Sequence, residues 1–262
     1  EKIKNNTLKD HHVCLTFDDC LKSQVLIADP ILKKYNLTAF YFIHSLTFFG
    51  EIDFNEVFSN IISSKYQSID VFMNDLLSYI DMDEDTFFTK KYIDFYELMK
   101  SNYSFYSEND IKYRYLRNIF YDHISFNKIM KKYFTEKNYM NNIDTKSIWM
   151  DENDLSLLSK SGNMIGLHSY SHHINFKDLS YNKQKQEYEK NKTHLEKIIN
   201  CKITSASHPL GSYNLDTIKI FNELAIECAF RSNNSIPDGR NSINPNNLER
   251  ARIDVCDILS QL

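Results

Sequence analysis

The chain has 262 residues, of which 42% are apolar and 25% are charged, and this balance is typical of a globular protein. This length suits one large α/β domain, or one domain that carries an insertion. The formal net charge of −4, with lysine and arginine spread along the chain, argues against a nucleic-acid partner, which would need a basic face.

Cysteine usage and hydropathy bear on the cellular compartment. The five cysteines include no C-x-x-C pair, so we predict neither a zinc ribbon nor a disulfide framework, and free thiols favour a cytoplasmic location. No apolar run approaches the roughly 18–20 residues that span a bilayer, and no signal peptide is visible. The sequence therefore predicts no membrane span.

The first predicted strand, residues 12–17, ends in a pair of acids. In the stretch HVCLTFDDC an apolar run is followed at once by Asp18 and Asp19. Adjacent carboxylates resist joint ionisation unless a cation or a proton intervenes. The stretch by itself is compatible with a solvated acidic turn and with a site that holds a cation.

Strands and helices alternate along most of the chain. Further strands are predicted at residues 38–43, 163–167, 203–207, 227–231 and 250–255. Helices are predicted between them, at residues 23–35, 151–161, 177–200 and 214–225. This alternation predicts a parallel sheet or barrel with helices outside, and in such folds chemistry collects at the carboxyl ends of the strands.

A long central region differs from the rest. Gly50 and Gly162 bracket a stretch without glycine or proline, the strongest chain breakers. Apolar residues recur there at helical spacing, beginning with Phe54, Val57, Phe58, Ile61 and Ile62. We predict a barrel domain from residues 1–50 and 146–262, and a helical insertion at 51–145. The insertion either covers the barrel mouth as a lid or packs its aromatics in its own core or in a homo-oligomer interface.

Histidines follow the strand predicted at 163–167. The stretch GLHSYSHH places His168 directly after this strand and His172 four residues later. Two imidazoles at this spacing can bind one ion, and Asp19 would complete a two-histidine, one-carboxylate set with positions open for water and substrate. A pair of histidines can equally cap or hydrogen-bond within a core, but the acids at another strand end favour the metal site.

Two paired motifs carry a resemblance to a known family. TFDD, at residues 16–19, and HSYSH, at residues 168–172, resemble the motifs T-F-D-D and H-[ST]-x-x-H of the metal-dependent polysaccharide deacetylases of carbohydrate esterase family four. The resemblance covers residues 12–50 and about 145–255, and it implies an α/β fold, a distorted (β/α) barrel with fewer than eight strands. With its helical insertion, the chain resembles a subgroup associated with bacterial surface-sugar biosynthesis.

The resemblance implies a role for each acid and histidine. Asp18 would be the general base, and Asp19, His168 and His172 would bind a divalent cation. Zinc is the first expectation, although a two-histidine, one-carboxylate site also accepts cobalt, nickel or iron. The cation would lower the pKa of bound water towards about 7, and Asp18 would take the proton from this water as it attacks an amide.

The third motif of the family, R-x-x-P-[YF]-G, is altered in the stretch SHPLGSYN at residues 207–214. Its proline and glycine match, but Ser207 stands where arginine is usual and Leu210 replaces the aromatic residue. We expect the backbone N–H of Leu210 to stabilise the oxyanion, because this donor does not depend on the side chain. Arg252, in RARIDV, is the hypothesised substitute that orients Asp18.

The L-x-H motif, which supplies the general acid in most members, is absent. His208 is the first candidate for this role, ahead of the two histidines that precede the first strand, and a structural loop histidine is the alternative. Arg231 is predicted to clamp a phosphate or carboxylate of the substrate, or else to form a surface salt bridge. Ser207 and Tyr213 are further substrate-binding candidates.

Two functions from different classes remain open. The first is a metal-dependent amide hydrolase that removes an acetyl or formyl group from an N-acylated amino sugar or nucleotide-sugar in surface-polysaccharide biosynthesis; a non-sugar amide is also compatible. The second is a catalytically impaired sugar-binding or scaffold protein on a deacetylase fold, as the missing arginine and L-x-H motif indicate. Retention of both acids and both histidines favours the hydrolase.

Overall fold

In the computed structural model of the protein, residues 12–141, 143–237 and 239–259 are described, together with residues 5, 7 and 9. The chain divides into two units. The first comprises Glu1–Asp53 and Lys146–Ile253, and the second comprises Phe54–Thr145 and Asp254–Leu262. No helix of the described residues is long and apolar enough to cross a membrane.

Five parallel strands form the sheet of the first unit, in the order β1-β2-β3-β4-β5. They are Leu15–Phe17 (β1), Ala39–Ile43 (β2), Met164–Leu167 (β3), Ser205–Ser207 (β4) and Cys228–Phe230 (β5). The sheet curls into a half-barrel, which confirms the predicted distorted (β/α) barrel. All five strands run in one direction, so their carboxyl ends lie at one edge of the sheet.

Helices connect these strands as the alternation predicts. They are Asp29–Lys34 (α1), preceded by a π-helical turn at Gln24–Ala28, and later Glu152–Lys160 (α7), Tyr181–Ile199 (α8) and Leu215–Glu223 (α9). The starts of α7 and α9 are set by capping boxes. In α7, for example, the Asp151 carboxylate accepts from the Asp154 N–H, and the Asp154 carboxylate accepts from the Asp151 N–H.

The strand predicted at residues 250–255 does not form. Arg250 makes an isolated parallel bridge with Phe230, and the chain then leaves the sheet. The next backbone N–H groups donate elsewhere, that of Ala251 to the Asn244 side chain and that of Arg252 to the Asn233 carbonyl oxygen. Because loop residues take up these donors, no ladder with β5 extends beyond the bridge.

The second unit is helical. Its longer helices are Phe54–Lys65 (α2), Ile69–Tyr79 (α3), Lys90–Asn102 (α4), Glu108–Tyr115 (α5) and His123–Glu136 (α6). Aromatic side chains fill its core: the ring of Phe134 lies 5.6 Å from that of Phe58 and 6.2 Å from that of Phe72, and all three are fully buried.

The C-terminal segment groups with this helical unit, whereas the sequence predicts it as part of the barrel domain. It forms the short helix Val255–Leu259 (α10), and the Ser104 hydroxyl donates to the Asp257 carboxylate at 3.1 Å.

Gly166, in β3, has no space for a side chain, and this leads to a prediction. An added Cβ would lie 2.5 Å from the Phe42 ring and 2.7 Å from Ser205 Oγ. We expect Gly166→Ala to lower the free energy of unfolding by about 2–3 kcal/mol in urea denaturation, because neighbouring strands would have to move. At Gly239 an added Cβ meets no atom within 4 Å, so Gly239→Ala should cost only about 1 kcal/mol for its positive φ. An unchanged midpoint for Gly166→Ala would contradict this packing.

Candidate metal centre

Three side chains meet at the carboxyl ends of β1 and β3. Asp19 Oδ1 lies 3.3 Å from His168 Nε2 and 3.2 Å from His172 Nε2. Two ligand atoms at about 2.0–2.1 Å from a tetrahedral zinc ion lie about 3.3 Å apart. The three side chains are therefore spaced as ligands of one divalent cation.

Backbone turns direct these ligands towards one another. Asp19, just after β1, has a left-handed backbone conformation with a φ of 73°. His172, in the loop that follows β3, has one with a φ of 51°. The His172 N–H donates to Ser169 Oγ at 3.1 Å, which closes the turn between the two histidines. Glu187, in α8, accepts from both the N–H and the hydroxyl of Ser171. The loop is thus held from within and from a neighbouring helix.

The second ring nitrogen of each histidine also has a partner. His168 Nδ1 lies 3.0 Å from the Ser207 carbonyl oxygen, and His172 Nδ1 lies 3.2 Å from Asp53 Oδ2. A carbonyl or carboxylate oxygen accepts, so in each neutral ring Nδ1 carries the proton and Nε2 presents its lone pair. Two lone pairs and the Asp19 carboxylate oxygen therefore face one point, and this donor set fits a metal ion.

Electrostatics keep Asp19 ionised. Burial raises the pKa of its carboxyl, but when His172 and His168 are protonated their attraction outweighs that effect and holds the pKa well below its ordinary value. An anionic oxygen is the form that binds a cation.

Asp18 is hydrogen-bonded to Arg252, whereas its neighbour Asp19 faces the two histidines. Arg252 donates to both carboxylate oxygens, from Nη1 to Oδ1 at 2.9 Å and from Nη2 to Oδ2 at 2.7 Å. Ser207 Oγ accepts from Arg252 and donates to Asp18 Oδ2 at 3.2 Å. Burial raises the pKa of Asp18. The attraction of Arg252, followed by that of His168, lowers this pKa by more than burial raises it, so the net shift is downward. Asp18 Oδ2 lies 4.0 Å from His168 Nε2, beside the ligand set.

His208 is fully buried and does not belong to the group formed by Asp19, His168 and His172. Its Nε2 donates to the Leu248 carbonyl oxygen at 2.8 Å, and its ring stacks on Tyr213 with 4.1 Å between centroids. Burial lowers the pKa of His208 to about 3, so its imidazole is neutral and its N–H is already bonded. This geometry corrects the general-acid assignment and agrees with a structural histidine.

Of the two histidines that precede β1, one lies among the described residues. His11 lies outside the described residues. His12 Nδ1 accepts from the Lys9 N–H at 2.9 Å, within the local turn before the strand.

All three predicted substrate-binding side chains form hydrogen bonds within the protein. Arg231 is buried and donates to the carbonyl oxygens of Glu249, at 3.1 Å, and Ile243, at 2.7 Å. The predicted clamp is therefore corrected, because the guanidinium holds the loop that follows β5. The Tyr213 hydroxyl donates to Glu249 at 3.0 Å, and Ser207 orients Asp18.

Leu210 lies in the turn Pro209–Gly211, directly after β4. Its φ is 52°, and the residue is 44% exposed. Gly211 has a φ of 68°, and an added Cβ would collide with Ser232 Oγ, which explains the glycine at this position. The oxyanion role of the Leu210 N–H stays a prediction.

Two further buried residues at this centre, Asp53 and His44, are not predicted from the sequence. Asp53 lies just before α2, where an acid is common and carries no metal signal. His44 follows β2, and its ring lies parallel to that of His172, with 5.5 Å between centroids. Burial is the largest cause and the proximity of His172 the second largest cause that lowers the pKa of His44, to about 4. The stacked ring is therefore neutral at pH 7.

A family model described as polysaccharide deacetylase matches residues 125–229 of this chain. The matched segment contains His168 and His172, and the two acids after β1 lie outside it. No curated protein sequence matches the chain.

Several solved structures share the fold over most of the chain. The Streptococcus pyogenes deacetylase PplD in complex with acetate is 17% identical, and the match covers 96% of this chain and 69% of that one with a TM-score of 0.51. IcaB from Ammonifex degensii is 12% identical, with coverage of 97% and 71% and a TM-score of 0.52. A de-N-acetylase from Aggregatibacter actinomycetemcomitans is 14% identical, with coverage of 100% and 79% and a TM-score of 0.50. At these identities the likeness shows a common fold.

The Asp18–Arg252 pair predicts a measurable coupling energy. We expect Arg252→Met to lower the free energy of unfolding by about 3 kcal/mol at pH 7, because the mostly buried Asp18 carboxylate loses its counter-charge. Asp18→Asn should then lower the free energy of unfolding by less in the Arg252→Met protein than in wild type. A urea-denaturation double-mutant cycle should give a coupling energy of about 1–3 kcal/mol. Arg250→Met is the matched control, because Arg250 donates to Asn247, and it should show no coupling. If the effects of Asp18→Asn and Arg252→Met on the free energy of unfolding simply add, the predicted interaction between the two side chains is wrong.

The same pair predicts a pH dependence of definite sign. Since the folded-state pKa of Asp18 is lowered, the pair stabilises the fold fully above the ordinary aspartate pKa of about 3.9, and the gain is lost as pH falls through the folded-state value. The difference in unfolding free energy between wild type and Arg252→Met should be constant at about pH 5–7 and shrink below about pH 4. A difference that grows on acidification would contradict this assignment.

Proposed function

We propose that this chain, which belongs to the polysaccharide deacetylase family, is a metal-dependent amide hydrolase that removes an N-acyl group from an amino sugar. One observation carries the proposal. Three ligand atoms, from Asp19, His168 and His172, face one point. The carboxylate of Asp18 lies beside them and forms an ion pair with Arg252.

The residues divide the work of amide hydrolysis. Asp19, His168 and His172 would hold a divalent cation, which supplies polarisation of the amide oxygen and a lowered pKa of bound water. Asp18, oriented by Arg252 and kept ionised by its lowered pKa, accepts the proton of the attacking water. The Leu210 N–H donates to the negative charge that develops on the amide oxygen.

The proton for the leaving nitrogen needs a source other than the family's usual histidine, because the L-x-H motif is absent and His208 lies in the core. Asp18 gains a proton when water attacks, and it loses that proton again if it protonates the nitrogen as the C–N bond breaks. We assign both transfers to Asp18. The products are then a carboxylic acid and a free amine, and Asp18 returns to its ionised form.

The substrate and the metal follow from the family and the ligand set. Two imidazoles and one carboxylate with open positions are typical of catalytic zinc, so zinc is the first choice. The acyl group is acetyl or formyl, and the carrier is an amino sugar or nucleotide-sugar used for bacterial surface polysaccharide, in the cytoplasm. PplD, which shares the fold, was solved with acetate, the acid that N-deacetylation releases.

A second candidate is a sugar-binding or scaffold protein that has lost turnover. The specific observation in its favour is the absence of the usual general acid, together with the core position of His208. The two candidates differ in one measurable property, because only the hydrolase releases acid from an N-acylated sugar.

Metal loading and product release test the proposal together. We expect the zinc-loaded protein to release acetate or formate from N-acetyl or N-formyl amino sugars, free or nucleotide-linked, and a chelator to abolish release until metal is restored. Asp18→Asn should retain the metal but lower kcat at least about 100-fold, because the proton acceptor is lost.

His172→Gln should lose the metal, whereas His173→Gln, at the next position, is the matched control and should keep both metal and activity. Metal content is measured by elemental analysis and product by chromatography. Bound metal without release from any of these sugars would favour the scaffold, and a wild-type protein that binds no metal would contradict the proposal.

A further inference from the structure

Asp53 lies against the metal centre although it belongs to no motif of the sequence. Its Oδ2 is 3.2 Å from His172 Nδ1, and each of these side chains is only 5% exposed. The two residues are 119 positions apart, so packing of the fold brings them together.

We propose that Asp53 is a positioning residue that orients His172 and strengthens it as a metal ligand; this inference rests on the metal-dependent function proposed above. The Asp53 carboxylate accepts the Nδ1–H of His172 and thereby directs Nε2 towards Asp19 Oδ1, 3.2 Å away. A carboxylate on the far nitrogen also raises the basicity of the ligating nitrogen.

The surroundings of His172 restrict the ring in two ways. The parallel ring of His44, inclined by 13°, lies against one face and limits tilting. The bond to Asp53 lies at the ring edge and opposes a flip that would exchange Nδ1 and Nε2. With both contacts in place, the ligating nitrogen is preset before any ion binds.

The two histidine ligands are held by partners of different charge. His168 donates to a neutral carbonyl oxygen of Ser207, whereas His172 donates to the carboxylate of Asp53. Within the proposed centre, Asp19 and Asp53 therefore bring two negative charges to a divalent cation, and Asp18 is balanced by Arg252. Loss of Asp53 should weaken binding of the ion more than it disturbs the fold.

Metal affinity of the full chain tests this role. Apo-protein is prepared with a chelator, and the zinc dissociation constant is measured by competition with a chromophoric chelator for wild type, Asp53→Asn and Asp53→Ala. We expect Asp53→Ala to raise the dissociation constant about 10–100-fold. Asp53→Asn should have a smaller effect, because its amide oxygen still accepts the Nδ1–H but carries no charge.

Glu51→Gln is the matched control. Glu51 lies two positions upstream, and its carboxylate accepts from the Tyr170 hydroxyl and from no residue of the ligand set. Removal of this charge should leave the dissociation constant unchanged. The absorption spectrum of the cobalt-loaded protein should change in Asp53→Ala, and the thermal unfolding of apo Asp53→Asn should match that of apo wild type.

The outcomes separate the two proposals. If both Asp53 variants bind zinc as tightly as wild type, with the same cobalt spectrum, the inference is wrong while the metal-dependent function stands. Lower apo-protein stability with unchanged affinity would likewise overturn it, because Asp53 would then serve only the fold. A wild-type protein that binds metal but releases no acid refutes the hydrolase and leaves the inference intact, and one that binds no metal overturns both.

Discussion

The two-pronged ion pair between Arg252 and Asp18 is the contact on which the arrangement of the site depends. Arg252 also donates to Thr16 in β1 and to the Arg231 carbonyl oxygen after β5, so one side chain joins the two edge strands of the half-barrel. The segment that carries Arg252 takes the place where the sequence predicts a sixth strand. A guanidinium thus replaces a ladder of backbone hydrogen bonds, and it brings a positive charge to the edge of the sheet where the candidate metal centre lies.

This contact explains how adjacent acids acquire different roles. Both oxygens of Asp18 are occupied by Arg252, which balances its charge and keeps it out of the ligand set. At Asp19 the backbone turns into the left-handed region, and its carboxylate faces the two histidines instead. The repulsion expected between neighbouring carboxylates is thereby reduced, because Arg252 balances the charge of Asp18 and the Asp19 carboxylate turns away from it towards the two histidines.

Several polar groups at the strand ends build the loop that presents Arg252. His208 and Arg231 donate to carbonyl oxygens of residues 248, 249 and 243, and Tyr213 donates to the buried carboxylate of Glu249. Buried backbone oxygens need such donors. A histidine or arginine after a strand can therefore either bind a substrate or hold a loop in place. The residue type alone does not distinguish these two roles.

From the sequence alone, the alternation of strands and helices could be predicted, because periodicity is local. The distorted barrel and the grouping of Asp19, His168 and His172 in one site could be predicted because two short motifs, each at the end of a predicted strand, resemble a pair that occurs together in one family. Tertiary structure alone decided that Asp53 contacts His172 across 119 positions and that His208 faces Leu248 in the core. The same is true of the missing sixth strand, where loop side chains captured the backbone donors. Hydrogen-bond partners far apart in the chain are chosen by packing, and no local pattern records that choice.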